Sequence, residues 1–296
     1  MFKSGFVSII GRPNVGKSTL LNQIVGEKIA IMTNKPQTTR NRINAIYQDK
    51  EAQIVFIDTP GIHKPKHKLG EFMTKQAVDT LNEVDVVIYM VDDSKSIGPG
   101  DQFILNILES VKSPIYVLIN KMDIMDQEAV QHIYEQYAAY PFIKQVMGIS
   151  ALGGHQVSGV VAAIKSELKE GPAYYPDDIL TDMPERDIVS EIIREKLLMY
   201  LDDEIPHGVA VEVESMTARA GSDLMDIHCA IVCEKKSHKG IIIGKEGRKL
   251  KGIGQASRKD IEKFLNKRVN LQLWVKIKEG WRDDATALRS FGYKEK

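Results

Sequence analysis

Short apolar runs alternate along the chain with polar, glycine- or proline-marked stretches, and the spacing of apolar positions changes from run to run. Phe6 to Ile10 is apolar and β-prone, whereas the segment after it, Ser18 to Ile24, carries Leu20, Leu21 and Ile24 at helical spacing. Arg42 to Tyr47 and Gln53 to Ile57 alternate, and the charged turn Asp49-Lys50-Glu51 between them predicts a hairpin. Val84 to Val91, Ile115 to Ile119 and Ile143 to Ile149 read as buried strands, with an amphipathic helix over Gln102 to Ser110. Buried strands interleaved with helices predict an α/β domain over residues 1–170, its sheet mostly parallel and its helices on both faces.

The pattern breaks at Gly171. Three prolines and three aspartates between Gly171 and Glu185 mark an acidic, proline-rich linker, placed at 171–186. A helix capped by Asp187 and running to about Leu201 follows, with Ile188, Ile192, Leu197, Leu198 and Leu201 near one face. Strands over Val209 to Glu214 and Leu224 to Cys233, a helix over Gln255 to Leu265, a strand over Val269 to Lys278 and a short helix from Trp281 complete an α+β domain at 187–296. Trp281 reads equally as a packing anchor or a stacking surface.

Composition adds location and charge. The 296 residues suffice for about two domains, and 43% hydrophobic with 27% charged residues suits a soluble globular chain with sizeable cores. The formal net charge of zero hides an asymmetry: 3 Lys/Arg against 11 Asp/Glu from Glu170 to Glu204, then 12 against 3 from Lys235 to Arg268. That second segment is a basic face suited to nucleic acid. Cys229 and Cys233, four apart on a predicted strand, share a face at a separation too long for a disulfide and have no partners for a zinc set. They read as packed thiols in a reducing compartment. With no signal-peptide pattern and no apolar run long enough to span a bilayer, the expectation is a cytoplasmic monomer, with room for a weak peripheral contact at the inner face of the cell membrane.

Chemistry concentrates at four places in the first domain. Gly11-Arg12-Pro13-Asn14-Val15-Gly16-Lys17-Ser18-Thr19 lies between a predicted strand and helix and fits the pattern in which backbone N–H groups cradle phosphates, a lysine neutralises them and a hydroxyl ligates Mg2+. Met32 to Arg40 is polar, proline-marked and aperiodic, a loop. Asp58-Thr59-Pro60-Gly61 ends a strand, where a carboxylate can hold a metal-bound water and a glycine N–H can approach a terminal phosphate. Asn120-Lys121-Met122-Asp123 ends another: a carboxylate there accepts the paired N–H donors of guanine, which adenine lacks, and the asparagine reaches the N7/O6 side.

The order of these motifs, with Ser150-Ala151 as a fifth that receives the guanine oxygen, resembles that of the TrmE–Era-type GTPases. The resemblance implies GTP binding by Asn14, Val15, Gly16, Lys17, Ser18, Thr19, Asp58, Asn120, Lys121, Asp123, Ser150 and Ala151. It implies Mg2+ held by Ser18, Asp58 and a loop threonine, Thr39 rather than Thr38, and catalysis through Lys17, Thr39 and Gly61. The loop at 33–40 becomes a switch that the terminal phosphate orders. Ile62 stands where Ras-like enzymes carry a water-orienting glutamine, so intrinsic turnover is expected to be slow. In the resembling family a phosphate-loop asparagine often holds K+ as a substitute, and Asn14 occupies that position.

The second domain, with helix, strands, Gly-x-x-Gly, helices and strand in order, resembles a type II KH domain. Its loop and flanks, Ile241, Ile243, Gly244, Lys245, Glu246, Gly247, Arg248 and Lys249, are the expected RNA contacts, glycines admitting the backbone and cations attracting phosphate. Together the two resemblances imply a GTPase that binds the 3′ end of small-subunit (16S) ribosomal RNA and assists 30S assembly. An RNA-binding module with nucleotide as a structural or timing ligand is the alternative. A tRNA-modification GTPase is disfavoured, because the chain lacks the cysteine-bearing C-terminal tail of those proteins.

Overall fold

The computed structural model describes residues 1–33, 35, 38–62, 65, 67–93 and 96–293; of the expected switch loop, Asn34, Pro36 and Gln37 lie outside the described residues. Contacts divide the chain into one unit of Met1–Lys66 with Gly70–Asp182 and a second of His67–Leu69 with Met183–Lys296.

In the first unit, β1 (Lys3–Gly11), β2 (Ile43–Gln48), β3 (Ala52–Asp58), β4 (Val86–Val91), β5 (Ile115–Ile119) and β6 (Ile143–Gly148) form a sheet in the order β2-β3-β1-β4-β5-β6. All neighbours are parallel except the β2–β3 hairpin and β7 (Lys169–Glu170), which runs antiparallel to the start of β1. Both faces are covered. Ile10, Ile57, Val87 and Tyr89 belong to a cluster with Ala77 and Leu81 of α2 (Lys68–Leu81), Ile104 and Leu108 of α3 (Pro99–Leu108) and Ile133 of α4 (Gln127–Ala138). Residues of opposite parity, Ile9, Phe56 and Ile88, are equally buried, and α1 (Lys17–Val25) packs with α5 (Val157–Glu167) and strands β1 to β3. This two-sided cover is why the strands read as continuous apolar runs.

The acidic segment expected to be a linker is largely attached to the first unit. Ile46 N–H donates to Leu180 O (2.9 Å) and Thr181 Oγ1 to Asn44 O (2.7 Å), while the Gln53 carboxamide bonds the backbone of Tyr174 and Tyr175. The strand edge of β2 is thereby covered. Its polar composition reflects bonding to a sheet edge rather than freedom from structure.

The second unit has β9 (Leu224–Cys233) central, with β8 (Val209–Ala218) antiparallel and β10 (Arg268–Ile277) parallel to it. Helices α6 (Glu185–Tyr200) and α8 (Arg248–Leu265) bury Ile193, Leu197, Ile253 and Ile261 against Val209, Ile231 and both cysteines, which are free thiols. Each such buried aliphatic contributes about 1.5–3 kcal/mol relative to exposure. Trp281 is a packing anchor: it is fully buried and its Nε1–H donates to Gly208 O (3.0 Å). The short helix α9 (Ala285–Ser290) follows it.

Three helix starts differ from their expected positions. α3 begins at Pro99, where proline needs no hydrogen-bond partner for a missing N–H. α6 is preceded by Pro184 at its cap position, and Asp187 lies within the first turn, where its charge complements the positive end of the helix dipole instead of serving as the cap. α8 starts at Arg248, seven residues before the expected Gln255. Gly252 and Gly254 made that stretch look non-helical. At Gly252 the missing side chain admits a neighbour, since a Cβ there would sit 3.2 Å from the Tyr200 ring; at Gly254 a Cβ would make only ordinary contact with Leu273 at 3.6 Å.

Candidate functional site

The carboxyl ends of β1, β3, β5 and β6 deliver the predicted strand-end motifs of the first unit to one crevice, as open α/β sheets do. After β1 the chain turns through Asn14 (φ 67°) and Gly16 (φ 105°) into α1. At Gly16 a Cβ would lie 2.2 Å from Asn120 Nδ2, so glycine is required by space as well as by φ. Lys17 is buried and its ammonium donates to Gly11 O (3.2 Å) and Arg12 O (3.0 Å). Burial pushes its pKa down to about 8, with Asp58 opposing the shift.

Three oxygen-bearing side chains converge beside it. Ser18 Oγ and Thr39 Oγ1 both donate to Asp58 Oδ2, at 2.9 and 3.1 Å, and lie 3.1 Å from each other. Thr38 is elsewhere, bonded to Thr33 Oγ1 and Lys35 O. Asp58 is fully buried, its other oxygen, Oδ1, lacks a hydrogen-bond partner, and desolvation holds its pKa up against Lys17 and the two hydroxyls. Hard oxygen donors around a buried carboxylate with an unsatisfied atom fit a magnesium ion.

Gly61 packs on Pro13, whose N would be 2.9 Å from any Cβ there. Ile62 is fully buried and donates its N–H to Gly11 O (3.2 Å), an anchor rather than a reacting group.

On the far side Asn120 is a brace. Its Nδ2 donates to Val15 O (2.8 Å) and its Oδ1 accepts from Ala151 N–H (2.9 Å), tying the phosphate loop to the Ser150-Ala151 turn. Ser150 is buried and its Oγ caps that turn at Gly153 N–H (3.1 Å). Asp123 is exposed on a cavity of about 440 Å³ that also reaches Asn14, Ser18, Thr19 and Thr39. Ile124 and Leu152, 68% and 81% exposed, add apolar walls that the motif reading had missed. Their places directly after Asp123 and Ala151 were the signal in the sequence.

In the second unit α7 (Lys236–Ile243) ends in a turn through Gly244 (φ 72°), Glu246 (φ 53°) and Gly247 (φ 74°) that leads directly into α8. Lys245, Glu246 and Arg248 are exposed, and Arg248 is paired with Glu246 (2.6 Å). Lys249 packs over Gly244, where a Cβ would be 2.7 Å from its own. The adjoining groove, about 460 Å³, is lined by Leu250, Leu271 and Leu273 with Lys251, Gln255 and Arg258. The expected isoleucines lie outside this lining: Ile241 is exposed, Ile242 is in the core and Ile243 packs against it. The missed groove residues lie on β10 and along α8, a helix whose start the two glycines concealed.

Both units match known protein families. A family model described as a 50S ribosome-binding GTPase matches residues 6–121, and a KH-domain model matches 204–282. GTPase Era of Alkaliphilus oremlandii is 59% identical over 292 residues, 99% of each chain. The chain belongs to the Era family of GTPases. Era of Clostridioides difficile is 57% identical with full coverage of both chains. A crystal structure of Era in complex with MgGDPNP and nucleotides 1506–1542 of 16S ribosomal RNA superposes with a TM-score of 0.96 at 37% identity, covering 100% of both chains. An Aquifex aeolicus Era variant bound to GDP·AlF4− gives 0.95, also at 37%, over 99% of this chain and all of that one.

Proposed function

We propose that this Era-family GTPase is magnesium-dependent and guanine-selective, and that its KH unit holds 16S ribosomal RNA near the 3′ end during 30S assembly. The convergence of Ser18 and Thr39 on Asp58, whose second oxygen is unsatisfied, is the observation that carries the enzymatic part. Ser18, Thr39 and Asp58 would hold the ion. Bound there, magnesium neutralises charge on the phosphoryl group being transferred.

The chain's own groups supply the rest. Lys17 releases the Gly11 and Arg12 carbonyls and turns its ammonium to the outer phosphates. Backbone N–H groups from Val15 to Thr19 and the N-terminus of α1 cradle those oxygens. Gly61 brings its backbone to the terminal phosphate from beside Pro13. Asp123 accepts from the guanine edge, Lys121 flanks the base, and Asn120, already braced, presents its remaining amide N–H to the N7/O6 side. Ile62 carries no group to orient water, so turnover is slow without help. Asn14, which faces the cavity beside the phosphate loop, is our candidate for holding K+. Single-turnover hydrolysis in KCl should exceed that in NaCl, and Asn14→Ala should remove the difference; equal rates in the wild type would reject the role.

For RNA, the exposed cations around Gly244 to Lys249 and the apolar groove beside α8 support backbone contact with unstacked bases, and the relative crystallised with 16S nucleotides supports that choice of RNA. Crosslinking in cells followed by sequencing of bound fragments should recover the 3′ end of 16S RNA. Hydrolysis with and without that RNA separates a regulated GTPase from an RNA-binding module in which nucleotide only marks time. Among the described residues no helix is long and apolar enough to cross a membrane.

A further inference from the structure

Strand β4 lies between β1, which delivers the phosphate loop, and β5, which delivers Asn120 and Lys121. The residue immediately past its carboxyl end is Asp92, which therefore has one motif on each side. Its two oxygens divide between them. Oδ1 accepts from Arg12 Nη2 of the phosphate loop at 2.7 Å, and Oδ2 accepts from Lys121 Nζ of the base-reading tetrapeptide at 3.1 Å. The Asp92 side chain is only 14% exposed, whereas Arg12 and Lys121 are 29% and 34% exposed, so the two pairs are charge-assisted bonds with cationic ends that water still reaches.

Both partners are themselves constrained. Arg12 is gripped from its other side by Asp101 of α3, whose Oδ1 lies 2.9 Å from Arg12 Nε and also accepts from Tyr89 OH (2.9 Å). Gly100 crowds the same arm, since a Cβ there would lie 3.2 Å from Arg12 Cδ. Lys121 has a left-handed backbone (φ 69°), a conformation that a non-glycine residue keeps only when its surroundings hold it. Its second carboxylate, Asp93, is farther away (3.6 Å) and about half-exposed, hence largely screened.

We propose that Asp92 is a positioning residue for nucleotide binding, a two-sided carboxylate that makes base reading by the Lys121 segment and phosphate reading by the Arg12 loop cooperative. It touches neither base nor phosphate. With Asp92 in place, ordering either segment lowers the cost of ordering the other, so guanine contacts contribute to phosphate affinity. The inference rests on the guanine-nucleotide reading of this crevice and adds the residue that links its two halves.

The test is a double-mutant cycle on GDP affinity with Asp92→Asn and Lys121→Met. The methionine keeps the stem that flanks the base and removes only the ammonium. Each single change is expected to weaken GDP binding about tenfold, about 1.4 kcal/mol. The double variant should be no more than about twofold weaker than the worse single, because both break one bridge. The thermal midpoint of nucleotide-free Asp92→Asn should stay within about 3 °C of wild type, which a purely structural carboxylate would not allow. Arg12→Gln combined with Lys121→Met probes the same bridge from its two ends without altering Asp92, and is expected to be equally non-additive even where Asp92→Asn folds poorly. Additive losses near a hundredfold in both cycles, or undiminished affinity in Asp92→Asn, would overturn the proposal. Asp123→Ala controls the underlying reading: if it leaves the preference for GDP over ADP intact, the guanine assignment fails; if it abolishes that preference while the cycles are additive, only the role of Asp92 fails.

Discussion

The nucleotide crevice and the Gly-x-x-Gly groove both use glycine turns at helix N-termini beside cationic side chains, yet they are built in opposite ways. In the crevice the polar groups are buried and already braced: Lys17 on two carbonyls, Asn120 between Val15 and Ala151, Ser18 and Thr39 on Asp58. In the groove the charges stand in solvent, and the nearest pair, Arg248 with Glu246, is 74% and 66% exposed. A braced site reads its ligand by geometry and fails abruptly when an atom is misplaced. A solvated one attracts by charge and fails by degrees.

The largest expected effect comes from a single methyl in the crevice. Gly16→Ala would set a Cβ 2.2 Å from Asn120 Nδ2 at a φ of 105° that alanine avoids. Loop and brace must then part, and GDP affinity should fall by about a hundredfold or more by fluorescent-nucleotide titration. RNA affinity of the nucleotide-free protein should be unchanged. If Gly16→Ala binds GDP normally, the picture of a braced crevice is wrong.

Neutralising the groove's cations is the matching change on the other side. Lys245→Gln, Arg248→Gln and Lys251→Gln together should cost RNA affinity on the order of tenfold and flatten its dependence on salt by roughly two units in the log–log slope. GDP binding should not move. An unchanged salt slope would mean that the phosphates lie against other residues.

How much of each site was legible follows from the same contrast. The crevice could be read because its chemistry is carried by contiguous motifs at strand ends, so that Gly11 to Ser18, Asp58 and Asn120 to Asp123 identify themselves and the apolar runs order the strands. What escaped was contact across strands: Asn120 as a brace and Asp92 between Arg12 and Lys121 depend on the β1-β4-β5 adjacency, which no local window contains. The groove was half legible. Its glycine turn has a local signature, but Leu271 and Leu273 reach it from β10, and Gly252 and Gly254 disguised the first turns of α8. Residues 171–182 were misread for a related reason, since aspartate, proline and tyrosine bonded to a strand edge have the composition of a linker.

Proton linkage gives a smaller effect that belongs to the crevice alone. Burial lowers the Lys17 pKa to about 8 in the nucleotide-free protein, and phosphates replacing two neutral carbonyls raise it again. Binding therefore takes up a proton wherever the free lysine is neutral, and affinity is full well below pH 8 and declines as pH rises through it. Between pH 7 and pH 8.5 GDP affinity should fall about fourfold, with proton uptake visible by calorimetry in buffers of different ionisation enthalpy. Lys17→Met should bind weakly and without this dependence. A pH-independent wild type would place the lysine in water rather than in the braced loop.

The smallest expected effect tests the core beneath the groove. Cys229 and Cys233 are buried in the second unit, where burial pushes the Cys229 thiol up to about 12 and raises Cys233 as well. The thiolate is the reactive form, so neither should be alkylated at pH 8 while the fold is intact, and both should react in denaturant. RNA occupying a solvated groove leaves that core as it was, and protection should be the same with and without RNA. Cysteine labelling that slows when RNA is added would mean that the groove opens into its core before binding, and that this site too is braced by its ligand rather than merely charged.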